Sequence, residues 1–132
     1  MRSISLWHIE DDEAQLALMR LLLREVSPTT RLEAFSTGKK ALEALNRCSD
    51  KSDIVFLSDL NLPDISGLDL LSTIRNPPYS CPAPFIFLSG TESEEIKKEA
   101  CARGANAFLV KPFELEDLKE ILRDLIAFWS RS

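Results

Sequence analysis

Short apolar runs alternate with amphipathic stretches along the chain, and nearly every apolar run stops at a polar residue. Ile4 to Ile9 has the length of a strand and ends abruptly at Glu10-Asp11-Asp12-Glu13. Beyond it Leu16, Met19, Leu23 and Val26 recur at helical spacing, which predicts an amphipathic helix closing near Ser27-Pro28. Arg31 to Phe35 reads as a weaker second strand and Gly38 to Asn46 as a second helix. Ile54-Val55-Phe56-Leu57 has the β-branched and aromatic character of a strand buried on both faces. It leads to Asp59 and the loop Leu60 to Gly67, followed by a third helix over Leu68 to Arg75.

NPPYSCPAP, Asn76 to Pro84, cannot be helical and predicts an extended connection. Phe85 to Leu88 makes a fourth strand closed by Ser89-Gly90. Thr91 is placed to cap the next helix, with Glu92, Glu94 and Glu95 favourable near its start and Gly104 at its stop. Ala107 to Val110 is a fifth strand. The last helix carries an apolar stripe of Leu115, Leu118, Ile121, Leu122, Leu125 and Trp129. Strands alternating with helices in this way predict a parallel sheet covered on both faces, in an α/β fold.

The chain has 132 residues, which fits one domain with one real core, and no repeat or low-complexity segment divides it. The net charge of −5 argues against gripping nucleic acid, which needs a basic patch. Cys48, Cys81 and Cys101 form neither a zinc pattern nor an even disulfide framework, and suit a reducing compartment. No basic leader or membrane-length apolar run is present, so a cytoplasmic protein without membrane contact is expected.

In open parallel sheets, ligands bind beyond the carboxyl ends of the strands. The first strand delivers Glu10 and Asp11 there, the third Asp59, the fourth Ser89 and the fifth Lys111. Carboxylates gathered in one place repel, and a hard divalent cation such as Mg²⁺ relieves that repulsion through oxygen ligands. Lys111 adds a second positive charge, Ser89 can donate to a phosphoryl oxygen, and Asp59 is placed as a nucleophile. Asp12 and Glu13 read instead as the start of a helix. Asp53 reads as the residue opening a strand and Asp64 as a loop residue. His8, the single histidine, reads as a packed strand residue with a hydrogen-bond partner rather than a phosphodonor. Trp7, Phe128 and Trp129 read as core or surface packing residues, with exposed aromatics on the last helix also able to serve a partner.

Four segments together resemble the receiver domain of two-component response regulators, of the chemotaxis-regulator-like kind. HIEDDE is similar to the family's acidic cluster, FLSDLNLPDISG to its phosphoacceptor strand and loop, FLSG to its switch segment, and GANAFLVKPF to its closing Lys-Pro strand. The resemblance implies a flavodoxin-like (βα)5 three-layer sandwich with strand order 2-1-3-4-5. It makes Asp59 the phosphoacceptor, with Mg²⁺ (or Mn²⁺) held by Glu10, Asp11, Asp59 and the backbone carbonyl of Asn61. It assigns Ser89, Phe108 and Lys111 to the switch, and implies a cis Lys111–Pro112 peptide. It also implies a sensor histidine kinase or histidine phosphotransfer protein as donor. The output passes through the face of the fourth helix, fifth strand and fifth helix, to a downstream protein, a fused effector or a phosphorylation-dependent homodimer. Ser89 stands where Thr is commoner and Gly90 where Ala is frequent.

Two other readings compete with this one. A haloacid-dehalogenase-type aspartyl phosphatase wants a second Asp two residues after the nucleophile, where this chain has Asn61, and no cap domain is evident. A receiver-like module that binds partners without phosphorylation would tolerate a degenerate pocket, whereas this one is intact. The expectation is therefore a switch that assists its own phosphorylation, not an enzyme with turnover.

Overall fold

A computed structural model describes residues 3–130. Five strands, β1 (Ser5–Ile9), β2 (Arg31–Phe35), β3 (Ile54–Ser58), β4 (Phe85–Ser89) and β5 (Ala107–Val110), form one sheet of order β2-β1-β3-β4-β5. Every pairing is parallel. The crossovers are α1 (Glu13–Val26), α2 (Gly38–Arg47), α3 (Gly67–Arg75) and α4 (Glu94–Ala102), with α5 (Leu115–Trp129) closing the chain. This is the flavodoxin-like arrangement that the resemblance implies.

Each central strand is buried throughout, so its side chains divide by parity between two cores. Leu6, Val55, Leu57, Ile86 and Leu88 face Met19, Leu22 and Leu23 of α1 and Leu118, Leu122 and Leu125 of α5. Trp7, Ile54, Phe56, Phe85 and Phe87 face Leu45 of α2, Leu70, Leu71 and Ile74 of α3, and Ala100 of α4. The second core holds an aromatic chain across the sheet. Phe35, Trp7, Phe56, Phe85, Phe87 and Phe108 follow one another at centroid separations of 5.1, 5.7, 5.4, 5.0 and 5.8 Å. Those spacings lie within the range of favourable ring pairs.

The caps agree with the polar punctuation of the sequence, with one correction. Asp12 caps α1, accepting from the amides of Ala14 and Gln15, so its role is the helix-starting one expected. Thr37 caps α2 and Ser66 caps α3. The cap of α4 is Ser93, not Thr91: Ser93 accepts from the Ile96 amide, while Thr91 accepts from the Ser93 amide one turn earlier. Gly104 ends α4 at φ +109°, a left-handed conformation that suits glycine.

The proline-rich connection is not extended throughout as expected: it opens as a turn at Pro77–Tyr79, passes through Ser80 at φ +44° and runs without regular structure to Pro84. The cis peptide among the described residues lies here, at Pro77–Pro78, so the Lys111–Pro112 bond is trans. Trans is the lower-energy isomer of an X–Pro bond, and with it Lys111 still reaches its carboxylate partners.

Phe56 is fully buried between Trp7 and Phe85. Phe56→Ala is expected to lower the unfolding free energy by about 3–5 kcal/mol. Phe128→Ala, at a residue 61% exposed, should shift it by no more than about 0.5 kcal/mol. Guanidinium unfolding of both variants measures the contrast.

Candidate functional site

The parallel register places the residue after β1 beside the residues after β3. The Asp59 amide donates to the Ile9 carbonyl at 3.0 Å and the Glu10 amide to the Phe35 carbonyl at 2.9 Å, so pairing continues to the strand tips. There one carboxylate oxygen from each of Glu10, Asp11 and Asp59 lies within 4.8 Å of the others. Glu10 is buried, Asp59 partly buried and Asp11 exposed, which grades the cluster from core to solvent.

Lys111 arrives from the far side of the sheet. Its Nζ donates to Glu10 Oε1 at 3.1 Å and sits 3.7 Å from Asp59 Oδ2. Glu10 Oε2 accepts from the Asp12 amide at 3.2 Å. Burial pushes the Glu10 carboxyl above the usual carboxylate range, and the hydrogen bonds from Lys111 and the Asp12 amide oppose it. Asp59 Oδ1 accepts from the Leu60 amide at 2.7 Å, while Oδ2 faces the more distant Lys111 ammonium at 3.7 Å. A cavity of about 190 Å³ opens beside these groups, with His8, Ser58 and Phe113 in its wall.

The loop after β3 is folded back tightly. Asn61 and Ser66 form an antiparallel bridge, and the Gly67 amide donates to the Leu60 carbonyl at 2.7 Å. A Cβ on Gly67 would stand 2.5 Å from the Asp59 carbonyl oxygen and 2.8 Å from the Phe87 ring, so only glycine fits there. Asp64, read from sequence as a plain loop residue, accepts from the amides of both Gly38 and Lys39 at the start of α2. Burial alone would raise its pKa, but the amides of Lys39 and Gly38, with those of Asp64 and Ile65, together outweigh it and hold the carboxyl below the usual range. No local sequence signal distinguishes it from other loop acids, because its partners lie 25 and 26 residues away.

The remaining predicted residues are placed unevenly. Ser89 is buried, its hydroxyl accepts from the Thr91 amide at 3.3 Å, and it does not line the cavity. Phe108 is half-buried against Phe87. His8 corrects the expectation of a hydrogen-bonded side chain: it is buried, and its Nδ1 has no partner among the described residues. Leu57, Leu88 and Met19 flank the same cavity wall and offer no polar atom.

A parallel sheet of this order with carboxylates and a lysine gathered at its carboxyl edge defines a flavodoxin-like α/β protein with an acidic site at the strand tips. The chain belongs to the response regulator receiver domain family, whose model matches residues 7–123. The crystal structure of a response regulator receiver domain from Rhodospirillum rubrum is similar at a TM-score of 0.82 and 29% identity, covering 98% of this chain and 95% of that one. The transcriptional regulatory protein KdpE of Staphylococcus aureus is 34% identical over 87% of this chain and 46% of its own length. The chain spans under half the length of several curated relatives it matches, and 80% of the probable methanogenesis regulatory protein FilR2 of Methanothrix harundinacea. A structure of the Saccharomyces cerevisiae phosphotransfer protein Ypd1 with the receiver domain of Ssk1 shares the fold at a TM-score of 0.78 and 20% identity, covering 98% and 92% of the two chains. No described helix is long and apolar enough to cross a membrane.

His8 generates a pH prediction. Burial, with the Lys111 charge adding to it, pushes its pKa down to about 4 from 6.5. The unfolded chain therefore takes up this proton near pH 6.5 while the folded protein refuses it until about pH 4. Stability from this group is complete above pH 6.5 and falls by on the order of 3 kcal/mol as pH drops to 4. The raised Glu10 pKa acts with the opposite sign, favouring the folded state on acidification. His8→Leu, which leaves no unpaired nitrogen, should match or exceed wild-type stability at pH 7 and show a flatter acid limb. Urea midpoints between pH 7.5 and 4.5, taken in chelator, check it.

Proposed function

We propose that Asp59 accepts a phosphoryl group from a phosphohistidine, carried by a sensor histidine kinase or a histidine phosphotransfer protein, and that the acyl phosphate acts as a signalling switch. The observation that carries this is the meeting of Glu10, Asp11 and Asp59 within 4.8 Å, faced by the Lys111 ammonium. Similarity to the Ssk1 receiver, solved with its phosphotransfer protein Ypd1, supports this class of donor.

Three carboxylates and no soft ligand form a hard oxygen donor set, which fits Mg²⁺ or Mn²⁺. Glu10, Asp11, Asp59 and the Asn61 carbonyl would hold the ion, which when bound neutralises charge on the transferring phosphoryl oxygens. The protein's own groups supply the rest. Asp59 Oδ1 is occupied by the Leu60 amide, so Oδ2 is the oxygen free to attack. It forms the new O–P bond while the P–N bond breaks, the electron pair returning to the donor imidazole. Lys111 already lies 3.7 Å from that oxygen and supplies a positive charge for the group arriving there.

The Ser89 hydroxyl accepts from the Thr91 amide, which leaves its O–H to donate to a phosphoryl oxygen, and turning toward that oxygen reshapes the segment between β4 and α4. Phe108 lies against Phe87, two residues from Ser89 along β4, and repacks with it. The α4–β5–α5 face thereby changes for a downstream protein, a fused effector or a second copy. The protein is a switch without sustained turnover.

Intact-mass spectrometry after incubation with acetyl phosphate tests the reading. One Mg²⁺-dependent phosphoryl adduct is expected on the wild type and none on Asp59→Asn. An adduct of equal yield on the variant places the acceptor elsewhere and overturns it.

A further inference from the structure

The loop that follows the nucleophile is fastened to a distant helix by a side chain that takes no part in the chemistry. Asp64 Oδ1 accepts from the Gly38 amide at 3.0 Å and Oδ2 from the Lys39 amide at 2.8 Å. These are the first two amides of α2, groups that the helix itself leaves without acceptors. The next two are served locally, Lys40 by the Thr37 hydroxyl at 3.1 Å and Ala41 by the Thr37 carbonyl at 3.4 Å. The helix start is therefore completed from two directions, its own cap and the β3–α3 loop. A carboxylate bridging two amides at a helix N-terminus makes charge-assisted bonds aligned with the helix dipole.

The fit between loop and helix is close as well as polar. A Cβ on Gly38 would collide with Cγ2 of Ile65, the residue after Asp64. At its base the loop is closed by the Asn61–Ser66 bridge and by the Gly67 to Leu60 hydrogen bond. A loop closed at the base and clamped at the tip has little conformational freedom. The segment so restrained is Leu60-Asn61. Leu60 orients Asp59 through the hydrogen bond that its amide donates to Oδ1.

Resting on the receiver reading above, we propose that Asp64 is a positioning residue for the metal site, clamping the β3–α3 loop to α2 so that Leu60 and Asn61 hold their places beside Asp59. The first two amides of α2 thereby belong to the support of the site, although no α2 side chain reaches it through this contact. Metal affinity depends on such supporting bonds because they fix the ligand atoms before the ion arrives. A loosened loop binds the same ion more weakly but transfers the phosphoryl group normally once the ion is in place.

That distinction sets the experiment. The rate of phosphorylation from acetyl phosphate is followed by intact mass across a Mg²⁺ titration, on wild type, Asp64→Ala, Asp64→Asn and Thr37→Ala. The half-saturating Mg²⁺ concentration is expected to rise about tenfold in Asp64→Ala. A smaller rise is expected in Asp64→Asn, which keeps one acceptor oxygen, and the rate at saturating Mg²⁺ should stay close to wild type in both. Thr37→Ala removes the other cap of α2 without touching the loop. It should lose thermal stability and keep the wild-type Mg²⁺ dependence. If both Asp64 variants lose only thermal stability and keep the wild-type half-saturation, Asp64 is a helix cap alone and the proposal falls. A wild type with no Mg²⁺-dependent adduct overturns the receiver reading itself, an outcome separate from failure of the clamp.

Discussion

Lys111 faces two carboxylates at once, Glu10 at 3.1 Å and Asp59 at 3.7 Å, and the arrangement at the sheet edge follows from that meeting. The acids come from neighbouring strands and the ammonium from the edge strand β5, beyond β4. Parallel pairing is what brings these tips level. The Lys111 amide donates to the Ser89 carbonyl at 2.7 Å and the Asp59 amide to the Ile9 carbonyl, so each site residue is fixed by a backbone bond to the strand beside it. Without Lys111 the buried Glu10 would face Asp59 with no opposing charge beyond backbone amides, an arrangement that favours taking up a proton.

Beneath that polar edge the sheet is apolar on both sides, and this shapes the chemistry above it. The aromatic chain from Phe35 to Phe108 passes under the α2, α3 and α4 layer and ends in the residue expected to move. The α1 and α5 side is largely aliphatic, with Trp129 packed against it, and includes His8, whose Nδ1 is kept neutral by burial next to Lys111. The loop after Asp59 is held between these regions by glycine contacts and by Asp64. Asp59 is thus oriented by backbone on one side and faces the Lys111 ammonium on the other.

Apolar runs, helical periodicity and the polar and glycine punctuation between them locate all five strands and five helices within a few residues, because these signals are properties of neighbouring positions. The polar residues closing the strands were legible for the same reason. Asp12 as a helix start and Gly104 as a helix stop were read correctly from local chemistry. The α4 cap was not, since Thr91 and Ser93 carry equivalent hydroxyls two residues apart and only backbone geometry selects Ser93. The cis peptide fell at Pro77–Pro78 rather than at Lys111–Pro112, a choice that belongs to the folded context of each proline.

The sequence by itself determined the order of elements, the parallel sheet and the acids and lysine that end its strands, since these depend on neighbours along the chain. Tertiary structure decided the distances: Lys111 to Glu10 across 101 positions, Asp64 to the α2 amides across 25 and 26, and the missing partner of His8. Each of those outcomes depends on which groups meet after the strands pair and the loops close. Such meetings are set by packing between distant segments, and no local pattern encodes them.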